Sequence, residues 1–172
     1  MEFSSLILSR ESVRNYDSAR QVSKETLLKI VDAGRLAPSA VNYQPWKFII
    51  VSSKEILQKL HKCYGREWFH EAPHVLIIVG DKSKAWVRRS DGYCSIETDL
   101  AIAMTHILLA AENEGVASCW ISNFNLKLLK EILNLSDNER VYSMTPLGYP
   151  KPDFQKKEFK ERKELEDIVI WL

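Results

Sequence analysis

Two stretches of the chain, Phe48 to Val51 and Val75 to Val79, are apolar without the alternation of a half-solvated strand. A strand that is apolar on both sides reads as buried on both faces, so these runs point to a central sheet. The first belongs to a strand from Trp46 to Val51, and Gly80-Asp81 closes the second.

The segments between them carry helical signals. Ser23 is a good N-cap for a helix from Lys24 to about Leu36, whose Leu27, Leu28, Ile30, Val31 and Leu36 share a face. Ser52 or Ser53 can cap a helix from Lys54 to about Tyr64. The broadest apolar stripe, Leu100, Ala103, Met104, Ile107, Leu108 and Ala111, lies on a helix from about Ile96 to Glu114, which Gly115 stops. Val116 to Ile121 and Val141 to Leu147 read as third and fourth strands, with a helix from Leu126 to about Leu133 between them. Strands alternating with helices give a mixed α/β class around one central sheet. No linker divides the 172 residues, so the expectation is a single domain over residues 1–172. Lys151 to Lys163 is a charged, proline-containing arm, yet the chain finishes on the apolar run Ile168-Val169-Ile170-Trp171-Leu172. A strand at the end of an arm needs a sheet edge, in its own subunit or in a partner's.

Charge narrows the function. Lys and Arg number 24 against 23 for Asp and Glu, a formal charge of +1, so nothing pulls the whole molecule toward nucleic acid or an anionic membrane. The longest apolar run, around Leu100 to Ala111, falls short of the roughly 18 to 20 residues of a membrane span. Met1 to Ser5 lacks the basic start and apolar core of a signal peptide, which makes a cytoplasmic protein the expectation. Cys63, Cys94 and Cys119 are scattered and outside any C-x-x-C, and the histidines show no metal-ligand spacing. The glycines form neither G-x-G-x-x-G nor a P-loop, and G-x-S-x-G is absent.

Two polar constellations stand out. Arg10, Ser12 and Arg14 alternate, so an extended backbone would bring two guanidinium groups and a hydroxyl to one side. That is phosphate-binding chemistry, with each charge-assisted bond worth about 1.5–3 kcal/mol; a solvated basic turn is the competing reading. Between Pro38 and Pro45, Ser39, Asn42 and Gln44 crowd a loop that leads into the first strand. They suit a small-molecule contact, and equally a turn whose amides bond its own backbone. The polar interval Lys82 to Ser95, with Trp86, Arg88 and Arg89, is long enough for a functional loop or lid.

Taken together, R-x-S-x-R at Arg10, A-P-S-x-x-N-x-Q-P-W at Ala37, G-x-x-S-C-W-I at Gly115, P-L-G-Y-P at Pro146 and L-E-D-I-V-I-W at Leu165 resemble the nitroreductase family of FMN enzymes. The likeness runs in order over essentially the whole chain. It implies a three-layer α/β (α+β) sandwich, a central mixed sheet flanked by helices, in an intertwined homodimer with FMN at the interface. Residues 150–172 would be an arm and strand reaching the partner. The resemblance matches Arg10, Ser12 and Arg14, with Glu11 between them, to the segment that holds the FMN phosphate and ribityl chain. Lys160 and Arg162 match a basic pair closing on that phosphate, while Lys157 stands outside the converging set. Pro38, Ser39, Ala40 and Asn42 match a loop bordering the flavin of the other subunit, with Gln44 near its polar edge. Ser122 and Asn123, after Trp120 and Ile121, match the turn whose backbone N–H faces flavin N5.

Relatives often carry a second serine where this chain has Ala40; only a backbone contact would survive there. No lysine occupies the loop from Tyr64 to Glu71, so Trp68 stands in for a cation that some relatives place beside the ring. Tyr43, Trp68, Phe69 and Phe124 are the candidate apolar walls for substrate. The activity implied is ping-pong hydride transfer from NADH or NADPH, through flavin N5, to a nitroaromatic, quinone or similar acceptor, with no protein nucleophile and no metal. The alternatives are an FMN-dependent dehydrogenase or specialised biosynthetic reductase of the same fold, and a non-catalytic flavin-binding protein.

Overall fold

The computed structural model describes residues 1–172. Its centre is β2 (His74–Asp81), which lies between β1 (Trp46–Val51) and β4 (Glu139–Gly148). The unalternating apolar sequence of β2 has the expected cause. Leu76 and Ile78 turn to one side, toward α2 (Lys24–Arg35) and α5 (Ile96–Asn113). Val75, Ile77 and Val79 turn to the other, toward α3 (Lys54–His61), α4 (Glu67–His70) and α6 (Leu126–Leu133). The result is three layers, helix–sheet–helix, with core on both faces of the sheet. Helix α5 approaches β2 so closely that a Cβ on Gly80 would sit 2.6 Å from Ile96 Cδ1 and 2.8 Å from Leu100 Cδ1. Ser23 and Ser53 cap α2 and α3 as the sequence predicts, accepting from the N–H groups of Thr26 and Ile56.

The sheet order is β1-β2-β4-β3, with β3 at Ala117–Ser118, and every pairing is antiparallel. The parallel pair that a mixed sheet requires is therefore not made among these four strands. The expected last strand is missing from the sheet as well. Leu165–Asp167 form a 3-10 turn, Ile168 to Leu172 are exposed, and neither edge of the chain's own sheet takes them up. Strand β3 is also shorter than predicted, only Ala117–Ser118. The Cys119 N–H donates to the Thr145 side-chain oxygen at 3.1 Å instead of to the ladder, and Ile121 rejoins β4 by an isolated bridge to Met144.

Helix α1 (Phe3–Ser9) precedes an extended segment that lies along β3, the Val13 N–H donating to Ser118 O at 2.9 Å. The interval 82–95 is more ordered than its sequence suggests. Val87 bridges Cys94, and Arg88 grips Asp91 through two hydrogen bonds of 2.8 and 2.6 Å. No helix is long and apolar enough to cross a membrane.

Candidate functional site

The segment from Arg10 to Arg14 alternates in burial as an extended strand must: Glu11 and Val13 point inward, Ser12 and Arg14 outward. Arg10, Ser12 and Arg14 thus come to one side and line a hollow of about 450 Å³. The returning arm closes its other wall with Lys160 and Arg162, and with Lys157, which the sequence reading leaves outside. Nothing in the irregular arm shows which lysine turns inward; only the folded path does. Five cationic side chains therefore share one hollow with two carboxylates, Glu11 and Glu161.

The cations are not equivalent. Neither Arg10 nor Arg14 is in a salt bridge, so both guanidinium groups remain available donors. Lys160 is partly committed: its Nζ donates to the carbonyls at the end of α1, Leu8, Ser9 at 2.8 Å and Arg10 at 3.3 Å. Glu11 ties arm to strand by accepting the Lys157 N–H at 3.3 Å through Oε2, while its buried Oε1 has no partner. Such an orphaned acceptor is costly unless a donor arrives. Behind the strand, burial raises the pKa of the Cys119 thiol, against opposing pulls from Arg14, Ser12 and Arg10.

A second hollow, about 380 Å³, shares no lining residue with the first. Trp120, Ile121, Ser122, Asn123 and Phe124 line it, as do Tyr64 and Arg66 from the facing loop. The N–H groups of Ser122 and Asn123 make no hydrogen bond within the chain, whereas the Trp120 Nε1 donates to Ser122 Oγ at 2.7 Å. Arg66 is a cation of this loop, which has no lysine. Trp68 does not take that place. It is half-buried against Tyr16 and Tyr64, and the Arg14 guanidinium lies 5.9 Å from its ring centre, so it packs against the Arg10–Arg14 strand. Phe69 is also no wall: at 1% exposure it belongs to the core, edge-on to Tyr64. The two long aromatic side chains of α4 face inward because that short helix is the lid of the core beneath it.

The loop from Pro38 to Gln44 stands apart. None of Pro38, Ser39, Ala40 or Asn42 lines either hollow in its own chain, and Tyr43 is 56% exposed. The turn reading is partly upheld, since Ser39 Oγ accepts the Gln44 N–H at 2.9 Å and Gln44 Nε2 donates to Asn42 Oδ1 at 3.1 Å. Yet this is no relaxed turn. Val41, Asn42 and Gln44 have φ of 46°, 58° and 49°, left-handed values that cost a non-glycine residue about 1–3 kcal/mol each. The Ala40 backbone is engaged within the chain. Its N–H donates to Asp99 Oδ1 at 2.9 Å and its carbonyl accepts from Tyr43. Asp99 is a further residue that sequence reasoning missed, because its apolar neighbours on α5 mark it only as one polar interruption.

A family model described as "Nitroreductase family" matches residues 7–64 and 57–149. Among curated relatives, a protein of Archaeoglobus fulgidus provisionally named NADH dehydrogenase/NAD(P)H nitroreductase is 34% identical over 159 residues, covering 86% of this chain and 85% of its own. Among solved structures, a nitroreductase family protein from Clostridium difficile 630 superposes with a TM-score of 0.91 at 35% identity, over 99% of this chain and 98% of that one. An FMN-dependent nitroreductase from Clostridium difficile R20291 gives 0.81 at 29% identity, over 98% of both.

Proposed function

The chain belongs to the nitroreductase family of oxidoreductases, and on that footing we propose that it is an FMN-dependent NAD(P)H oxidoreductase working as a homodimer. One observation carries the reading: Arg10, Ser12 and Arg14, free of ion pairs, meet the arm's Lys157, Lys160 and Arg162 around a single hollow. This donor set fits a phosphomonoester, which carries about two negative charges at neutral pH. Glu11 Oε1, buried and unpartnered, fits a hydroxyl donor such as a ribityl chain presents beside the phosphate.

When bound, FMN would supply two-electron chemistry, accepting hydride at N5 from NADH or NADPH and passing it to a nitroaromatic, quinone or similar acceptor in ping-pong order. The chain's part is to bind, orient and shield. Arg10 and Arg14 neutralise the phosphate and Ser12 donates to it. The free N–H groups of Ser122 and Asn123 offer donors to the ring's polar atoms, and Arg66 sets a positive potential in the same hollow. Phe124 supplies an apolar wall. No nucleophile is needed, since holding two flat reactants in turn over one face is itself the catalytic contribution.

The loop with Pro38, Ser39, Ala40, Asn42 and Gln44 completes the site from the second copy. Its position away from both hollows of its own chain supports that arrangement, as does the arm with exposed Ile168 to Leu172, which finds no edge at home. The domain is residues 1–172, with 150–172 reaching the partner.

FMN titration followed by flavin fluorescence tests the site. Arg14→Ala should weaken FMN binding about tenfold or more, as expected for loss of a charge-assisted bond. Lys127→Ala, an exposed residue of α6 that lines neither hollow, should leave it unchanged. Equal dissociation constants for the two variants would refute the phosphate assignment.

A further inference from the structure

We propose that Asp99 is a positioning residue: its buried carboxylate holds the strained 39–44 loop in the conformation that faces the flavin of the other subunit. The proposal rests on the functional reading above, but the anchor itself can be tested without flavin.

Asp99 sits in the first turn of α5 and is 2% exposed. No cation pairs with it. Its two oxygens accept from neutral donors instead, Oδ1 from the Ala40 N–H at 2.9 Å and Oδ2 from Ser95 Oγ at 2.8 Å. Of the hydrogen bonds made by residues 39–44, all but the one to Asp99 stay inside the loop. Asn42 N bonds Ser39 O, Tyr43 N bonds Ala40 O, and Gln44 N bonds Ser39 Oγ. Those bonds shape the loop but do not fasten it to anything. Three left-handed non-glycine residues persist only where the surroundings over-determine them. The Asp81 N–H holds Pro45 O at 2.8 Å where the loop ends, and within the loop the Asp99 carboxylate, fixed on a long packed helix, is the fastening that the rest of the molecule supplies.

The same carboxylate reaches a second loop. Ser95 donates its hydroxyl to Asp99 and its N–H to Trp86 O at 2.9 Å, at the base of the Val87–Cys94 bridge. Asp99 therefore joins the 39–44 loop to the 82–95 segment through two hydrogen bonds. An apolar residue at position 99 would leave the Ala40 N–H and the Ser95 hydroxyl without acceptors. Asparagine would keep one acceptor for Ala40.

Hydrogen–deuterium exchange on the full-length protein, read peptide by peptide, and FMN titration test this together. In Asp99→Ala, exchange across residues 37–46 should accelerate about tenfold or more while β2 stays protected, and the FMN dissociation constant should rise about tenfold. Asp99→Asn should restore both to within about threefold of the parent, a rescue that loss of core packing would not show. If Asp99→Ala does not fold, Asp99→Ser, whose polar side chain is too short to hold the Ala40 N–H, should loosen the 37–46 peptide without unfolding β2. Unchanged exchange over 37–46 in the folded variant overturns the anchor. Released exchange with unchanged FMN affinity overturns its role in positioning. If the parent protein itself binds no FMN, the flavin reading fails, and the exchange data still decide whether Asp99 holds the loop.

Discussion

Arg10, Ser12 and Arg14 owe their common direction to a two-residue period, a local property that is legible in sequence. Arg66, Lys157 and Asp99 have no such signature; what makes each notable is a neighbour far along the chain. Buried His74 is another residue whose role appears only on folding. Its Nε2 accepts the Val22 N–H at 3.2 Å and its Nδ1 meets Ser52 Oγ at 2.7 Å, joining β2 to the segments before α2 and α3. Burial lowers its pKa. The unfolded chain, with an ordinary histidine near 6.5, thus takes up protons before the folded one does. Stability from this group is complete above that value and is lost as pH falls through the lower folded value. Thermal unfolding between about pH 7.5 and 5 should show it, with a slope of at most about 1.4 kcal/mol per pH unit. His61, lowered by burial and by the His70 charge, adds in the same direction, so His74→Gln should flatten the dependence in part. An unaltered pH profile in that variant would remove His74 from the account.

Among the elements, β1 and β2 were legible from the apolar runs Phe48–Val51 and Val75–Val79, and β2 is buried on both faces; β4 was legible although the buried Ser143 and Thr145 interrupt its apolar residues. Strand β3 and the last apolar run were not. The first is cut short by the Thr145 hydroxyl, and the second depends on an edge that the chain's own sheet does not give it. The P-L-G-Y-P motif gains a physical reason from the way β4 ends. A Cβ on Gly148 would lie 2.7 Å from Pro73 Cδ and 3.0 Å from Tyr16 Cδ1, both rigid rings in the interior. Gly148→Ala should therefore destabilise by about 1–3 kcal/mol and lower the melting temperature by roughly 3 to 10 °C. A melting temperature within about 1 °C of the parent would show that this junction can relax.

For the molecule as a whole, the two hollows and the 38–44 loop fall in different places on one chain, and the arm ends in exposed Ile168, Ile170, Trp171 and Leu172. Both features are explained if two copies exchange arms and share their sites. Removing residues 165–172 should then shift sedimentation from dimer toward monomer and weaken FMN retention in parallel; an unchanged dimer would refute the exchange. The central claim, that this chain carries reducing equivalents from a nicotinamide donor through FMN, is tested most directly by anaerobic mixing of the FMN-loaded protein with NADH and then NADPH. At least one donor should bleach the visible flavin absorbance, and a quinone or nitroaromatic added afterwards should restore it. A bound flavin whose colour neither donor removes would contradict the account.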